Sequence, residues 1–197
     1  MKIAIIKYNA GNIKSVLFAL ERIGYSATVT DDAEWIRSAD KVIFPGVGEA
    51  STAMNYLRQR KLDELIVSLQ QPVLGICLGM QLLCGHSTEN NTTCLNVFDN
   101  VEVKQFSPEN KKLKVPQIGW NTISNLKSGL FKEVQENSYC YFVHGYYAAT
   151  SPYTIATTNY VGNYSSALQK NNFYGVQFHP EKSAKVGEQI LKNFLTL

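Results

Sequence analysis

Apolar and polar positions follow two different rhythms along this chain. Residues 2–7 form a short, nearly unbroken apolar run of strand length. Residues 12–23 then carry Ile13, Val16, Leu17, Leu20 and Ile23 at the spacing of one helical face, and Gly24 supplies the stop that a helix C-terminus favours. The pattern continues with predicted strands at 26–30 and 41–44 and a turn at Pro45-Gly46-Val47-Gly48. Helices follow at about 49–59 and 62–69, then a buried strand at 73–76. Strands separated by helices imply a parallel sheet with right-handed crossovers. Beyond residue 100 the rhythm changes. Strand-like runs at 101–106, 139–144, 155–158, 166–169 and 173–178 follow one another closely, which suggests antiparallel additions to the sheet. Residues 184–194 predict a closing helix with Val186, Ile190, Leu191 and Phe194 on its apolar face. The expected fold class is α/β: a mostly parallel open sheet with flanking helices and antiparallel additions in the C-terminal half. No repeat or low-complexity linker interrupts it, so residues 1–197 are expected to form a single domain.

Composition narrows the function classes. A length of 197 residues suits one domain with a sizeable core, and 45% hydrophobic with 18% charged residues is globular composition. The net charge of +3 is too mild, and too scattered, to argue for nucleic acid. Lys111-Lys112 with Lys114 reads as a solvated turn. No apolar run is long enough to span a bilayer, and the N-terminal run is too short for a signal peptide. Cys77, Cys84, Cys94 and Cys140 lack metal-ligand spacing and read as free thiols in a reducing cytoplasm. No phosphate-cradling glycine loop and no metal-ligand cluster is present, so neither ATP, a metal nor another cofactor is expected.

The chemistry concentrates at Gly75-Ile76-Cys77-Leu78-Gly79, directly after an apolar strand. A nucleophile between two nearby glycines at a strand-to-helix turn forms a nucleophile elbow, here with sulfur in place of the usual serine oxygen. The turn lifts the thiol above the carboxyl end of a sheet, where the helix N-terminus favours an anion. His179 follows the predicted strand 173–178, so it too falls at a strand's carboxyl end, where open α/β sheets place their sites. Glu181, two residues on, can hold the second imidazole nitrogen, completing a Cys-His-acid triad. The backbone N–H of Leu78 is one candidate oxyanion donor. The Gly46-Val47 peptide is a second, because flanking glycines let that peptide approach or flip; an ordinary strand-to-helix turn is the plain alternative there.

Gly75 to Gln81 together with His179-Pro180-Glu181 resembles the class I (triad) glutamine amidotransferases, and Pro45 to Gly48 resembles that class's oxyanion strand. Tyr8 to Asn12 with Ser15-Val16, Val115 to Asn121, Tyr141 to His144 and Val176 to Ser183 are similar to one branch, the glutaminase subunit of imidazole glycerol phosphate synthase. The resemblance spans nearly the whole chain and implies a flavodoxin-like fold. It implies hydrolysis of L-glutamine through a Cys77 thioester, with His179 moving the proton and Glu181 orienting it. It also implies Gln81, Glu89, Tyr141, His144 and Gly145 as substrate-binding residues. Asn12, Trp120 and Lys182 would face a cyclase/synthase subunit, forming a heterodimer that receives the ammonia in histidine biosynthesis. Lys7, Asn9-Ala10, Gln117 and Gly145 depart from the branch pattern. The rival readings are a paralogous glutaminase serving a sugar amidotransferase, a cysteine peptidase-like hydrolase and a non-catalytic interaction module.

Overall fold

The computed structural model describes residues 1–9, 11–107 and 113–197. Ala10 and the Lys111-Lys112 pair therefore lie outside the described residues. The chain opens with β1 (Ile3–Ile6), α1 (Ile13–Arg22), β2 (Thr28–Thr30), α2 (Ala33–Arg37), β3 (Lys41–Gly46), α3 (Ala50–Gln59), α4 (Leu62–Val67), β4 (Val73–Cys77) and α5 (Leu78–Leu83). It continues with β5 (Cys84–Ser87), β6 (Thr92–Thr93), β7 (Phe98–Gln105), β8 (Gln117–Ile123), β9 (Ser138–His144) and β10 (Tyr146–Ala148). It ends with β11 (Thr154–Asn159), β12 (Asn163–Lys170), β13 (Phe173–Val176) and α6 (Ala184–Thr196).

The main sheet runs in the order β2-β1-β3-β4-β13-β12-β10-β7-β5-β6, with β11 added on β12. Its first five strands are mutually parallel, β12 turns antiparallel against β13, and β10 is antiparallel to both β12 and β7. Apolar cores cover both faces. Along β1, Ile3 and Ile5 enter one core while Ala4 and Ile6 enter the other. This two-sided burial is why the parallel strands read as continuous apolar runs. Helix α1 buries Val16, Ala19 and Leu20, with Ile13, Leu17 and Ile23 packed at the margin, as its spacing predicts.

Two expectations need correction, and several elements had no expectation. The predicted turn at Pro45-Gly48 begins later, because β3 runs on through Pro45 and Gly46, which pair with Ile76 and Cys77 of β4. Residues 139–144 do not join the main sheet. They form β9, which pairs with β8 in a separate two-stranded ribbon whose far end bridges to β11 at Ser124 and Thr157. Helix α2 and strands β5, β6, β8 and β10 carry too little periodicity to stand out in the sequence. For α2 the readable signal is its cap, the Asp32 carboxylate accepting from Trp35 N at 2.7 Å.

Helix α5 sits unusually close to the strands beneath it. A Cβ on Gly79 would enter the Phe44 carbonyl of β3, and one on Gly75 would come within 2.8 Å of Met80 N. Across the sheet, a Cβ on Gly175 of β13 would meet Met80 Cγ at 2.6 Å. Gly79→Ala should therefore force α5 off β3 and destabilise the fold by about 3 kcal/mol, the upper range for overpacking. Urea unfolding reads this as a lower midpoint. An unchanged midpoint would show that α5 can withdraw from β3 freely.

Candidate active site

The elbow is built where β4 runs into α5. Cys77 carries the strain of the turn itself, with φ 54° and ψ −110°, a conformation that L-residues rarely adopt. Neither Gly75 nor Gly79 has positive φ; their role is to let the neighbouring backbone approach. A strained non-glycine backbone costs on the order of 1–3 kcal/mol and persists only where its surroundings over-determine it. Here the β3–β4 ladder, which pairs Gly46 with Cys77, and the close seat of α5 provide that determination.

Strand β13 lies beside β4 and parallel to it, pairing Val176 with Ile76, so both chains leave the sheet at the same edge. His179 N donates to Tyr141 O at 2.9 Å, which fixes the chain after β13 against the ribbon. A short 3-10 turn at Pro180–Lys182 then returns Glu181, whose Oε1 accepts from His179 Nδ1 at 2.7 Å. Both side chains are buried. Burial opposes protonation of His179, but its hydrogen bonds to Cys77 and Glu181 prevail and lift its pKa to about 10. The Asn12 amide donates to the same Glu181 oxygen and lies 3.2 Å from His179 Nδ1.

A cavity of about 500 Å³ opens above the thiol. Val47, Cys77, Leu78, Gln81, Glu89, His144, Gly145, His179 and Lys182 all line it, so most of the sequence-predicted residues converge. Gly46 is not among the lining residues; it lies against the Tyr8 hydroxyl and Leu78. Glu89 accepts from Ala50 N at 2.7 Å, at the start of α3. Burial raises the Glu89 pKa, partly offset by that hydrogen bond. The Gln81 amide already donates to Tyr146 O and to Gln177 Oε1, each at 2.9 Å.

Tyr141 and Trp120 do not line the cavity. They meet edge to face on the β8–β9 ribbon, with ring centroids 5.8 Å apart, and Trp120 is 52% exposed. Asn12, predicted at a partner face, has its amide turned onto Glu181 and His179. Sequence reasoning missed Gln177, fully buried with its amide 3.7 Å from Cys77 Sγ, and Val143, whose carbonyl lies 3.7 Å from the same sulfur. It also missed Tyr146, Gln105, Val115 and Pro116 on the cavity wall. The readable signal for Gln177 was a lone polar residue inside an apolar strand run.

The departures from the branch pattern separate cleanly. Lys7 and Asn9 are exposed. A Cβ on Gly145 would make only ordinary contacts, the nearest at 3.8 Å, so glycine is not sterically required there. Gln117 is buried, and its Oε1 accepts from the Tyr164 hydroxyl at 3.1 Å.

A thiol on a strand-to-helix elbow, a histidine at the end of the neighbouring parallel strand and a carboxylate behind it form, on an α/β fold, the arrangement that a cysteine nucleophile requires. Residues 4–197 match the family model described as Glutamine amidotransferase class-I, and the chain belongs to that family. Its relatives include proteins named Imidazole glycerol phosphate synthase subunit HisH. The protein of that name from Bacteroides thetaiotaomicron is 56% identical over 197 residues, covering 100% of both chains. Its counterpart from Bacteroides fragilis strain ATCC 25285 is 57% identical with the same coverage, and that of Idiomarina loihiensis 46% identical over 100% of this chain and 98% of its own. The fold recurs in a putative GMP synthase component from Thermoplasma acidophilum. That structure superposes with a TM-score of 0.76 at 18% identity, over 100% of this chain and 92% of that one. PurLQS from Thermotoga maritima gives 0.72 at 15% identity over 99% and 97%.

His144 generates a pH prediction. Its Nδ1 donates to Tyr146 O at 2.7 Å and its Nε2 lies 3.2 Å from the Tyr164 hydroxyl. Burial, reinforced by the nearby His179 and opposed by the bond to Tyr146, lowers its pKa to about 4. Between pH 6.5 and 4 the unfolded chain binds a proton at this position that the folded chain refuses. Stability should therefore fall as pH falls through that window, by about 3 kcal/mol from this group. Urea midpoints at pH 7 and 4.5 should drop less in His144→Gln than in wild type. Equal drops would show that His144 titrates normally in the fold.

Proposed function

We propose that this chain hydrolyses L-glutamine to glutamate and ammonia at Cys77 and passes the ammonia to the cyclase subunit of an imidazole glycerol phosphate synthase. The observation that carries the reading is the convergence of Cys77 from β4 and His179 from the adjacent β13 on one cavity, with Glu181 hydrogen-bonded behind the imidazole.

In this reading the substrate α-amino group meets Glu89 and its side-chain carboxamide reaches Cys77. The sulfur attacks the carboxamide carbon, and the proton it gives up resides on His179. The tetrahedral oxyanion is received by the N–H groups of Leu78 and Val47, in a partly closed cavity where fixed dipoles act strongly. Collapse breaks the C–N bond, and His179 protonates the leaving nitrogen as ammonia. The hydrogen bonds to Cys77 and Glu181 favour the protonated imidazole, so His179 is suited to receive that proton. Water then attacks the thioester, His179 takes its proton, and glutamate leaves with the thiol restored. Glu181 fixes the imidazole throughout. Gln81 and Gln177, joined amide to amide, brace the wall beside the sulfur.

The partner docks, in this reading, on the face that carries the β8–β9 ribbon. Ile118, Trp120 and Tyr139 are 64%, 52% and 60% exposed there, an apolar surface of the kind that marks an interface. Lys182 stands at the cavity mouth, where a partner carboxylate can meet it. Cytoplasmic placement accords with this biosynthetic role.

The test is glutaminase activity with the co-expressed cyclase subunit. Cys77→Ala should abolish glutamate formation, and His179→Ala should cost nearly as much because triad members act as a unit. The Cys77→Ala complex supplied with ammonium salts at high pH should still turn over the cyclase substrate. Retained glutaminase activity in Cys77→Ala would overturn the mechanism. Failure of ammonium to rescue would overturn the division of labour.

Trp120→Ala tests the docking face. Truncating a desolvated interface tryptophan often costs ~2 kcal/mol or more of binding. The variant should bind the cyclase more weakly, or raise the ratio of glutamate formed to nitrogen incorporated above one. Normal binding with a ratio of one would move the interface elsewhere.

A further inference from the structure

Tyr8 follows β1 at the carboxyl edge of the sheet. Its ring packs against Phe44 of β3 with centroids 5.2 Å apart, and only 5% of the residue is exposed. Its hydroxyl is buried and makes no hydrogen bond. Among the described residues only three buried side-chain atoms lack a partner, and another of them is the second oxygen of Glu181. An unpaired buried hydroxyl is costly, and a tyrosine in such a place normally finds an acceptor.

The atoms in front of that hydroxyl belong to Gly46. A Cβ added there would run into the Tyr8 oxygen, so the hydroxyl rests directly against the Gly46 backbone. Gly46 ends β3, opposite Cys77 in the ladder, and the next residues, Val47 and Gly48, line the cavity. In the planar peptide between Gly46 and Val47, the carbonyl and the N–H point in opposite directions. Turning the Gly46 carbonyl onto the Tyr8 hydroxyl therefore turns the Val47 N–H away from Tyr8. Because the hydroxyl is unpaired, the Gly46 carbonyl is not turned onto it in this structure. Burial and the proximity of Cys77 push the Tyr8 pKa far up, so the hydroxyl keeps its proton and remains a donor.

We propose that Tyr8 is a positioning residue for the oxyanion donor: its hydroxyl donates to the Gly46 carbonyl in the competent state and so holds the Val47 N–H toward the tetrahedral intermediate. The peptide is thereby poised between two orientations, and a buried hydroxyl adds one hydrogen bond to the competent one. The inference rests on the glutaminase reading above and adds to it a named determinant of the activated state.

The experiment compares wild type, Tyr8→Phe and Cys77→Ala, each in complex with the cyclase and the cyclase substrate, with L-glutamine as substrate. Tyr8→Phe removes one oxygen and keeps the ring against Phe44. Its unfolding midpoint should equal or exceed that of wild type, since the lost hydroxyl has no partner. Its kcat should fall about tenfold, the worth of one well-made hydrogen bond. Its KM for glutamine and its rate of Cys77 alkylation by iodoacetamide should stay within twofold of wild type. A kcat within twofold of wild type would overturn the proposal. So would a fall in kcat accompanied by a lower unfolding midpoint, which would mark Tyr8 as a structural residue only. The glutaminase reading is judged separately: it stands if the wild-type complex forms glutamate and Cys77→Ala does not. It falls, and the Tyr8 proposal with it, if the wild-type complex forms none.

Discussion

The close seat of α5 on β3, β4 and β13 is the constraint on which the site depends. Three glycines, Gly75, Gly79 and Gly175, remove the side chains that would hold the helix away. With the helix lowered, the first residue of the turn has no room to relax, and Cys77 is held at positive φ. That backbone strain aims the sulfur at the cavity instead of into the sheet. The same lowered helix brings Leu78 against Gly46, so nucleophile and both candidate oxyanion donors share one small volume. The helix is only six residues long, so its macrodipole is a minor contributor. The seat of the helix matters for position more than for field.

The second half of the site obeys a different physics. His179 and Glu181 are polar groups in a nearly dry setting, where an unpaired charge would be expensive and a paired one is strongly held. The pair is tied from several sides. The His179 backbone is fixed by Tyr141 and Ser183, its ring by Glu181, and one Glu181 oxygen in turn by Asn12. His144, on the wall of the same cavity, is shifted in the opposite sense. Burial and the proximity of His179 disfavour its charged form more than the bond to the Tyr146 carbonyl favours it. Two histidines at one cavity are thus shifted in opposite directions, because one bonds the Cys77 sulfur and the Glu181 carboxylate and the other has neither partner.

Sequence made the parallel half of the fold legible because two-sided burial leaves continuous apolar runs, as in residues 3–6 and 73–76. It failed on β8, where Gly119, Trp120 and Asn121 interrupt any alternation, since one face of the ribbon is exposed and carries no core pattern. Missing β8 left its partner β9 to be placed in the main sheet. At the site, Cys77, His179 and Glu181 were readable because motif spacing and strand ends coincide. Gln177 was readable only as a lone polar residue in an apolar run, and its place beside the sulfur depends on which way a single residue after β13 turns. Asn12 was readable as a residue near the site but not by its contact. Its left-handed backbone, φ 76°, turns the amide inward onto Glu181, and nothing in the local pattern announces that turn.

The loop between β1 and α1 ties these parts together. Tyr8 at its start lies against Gly46, on the oxyanion side of the cysteine, and Asn12 at its end holds Glu181, on the base side. The two contacts sit at opposite ends of the catalytic line yet belong to one short connection. Lys7 and Asn9 on the same connection are exposed, so the loop also presents a surface. A displacement of this loop cannot reach one end of the site without reaching the other. The oxyanion peptide touches the loop through the Tyr8 hydroxyl without a hydrogen bond, while the Glu181 carboxylate is held by the Asn12 amide, so the peptide is the softer element. Pressure on the loop would then be expressed first in the orientation of Gly46-Val47, with the His179–Glu181 pair left standing.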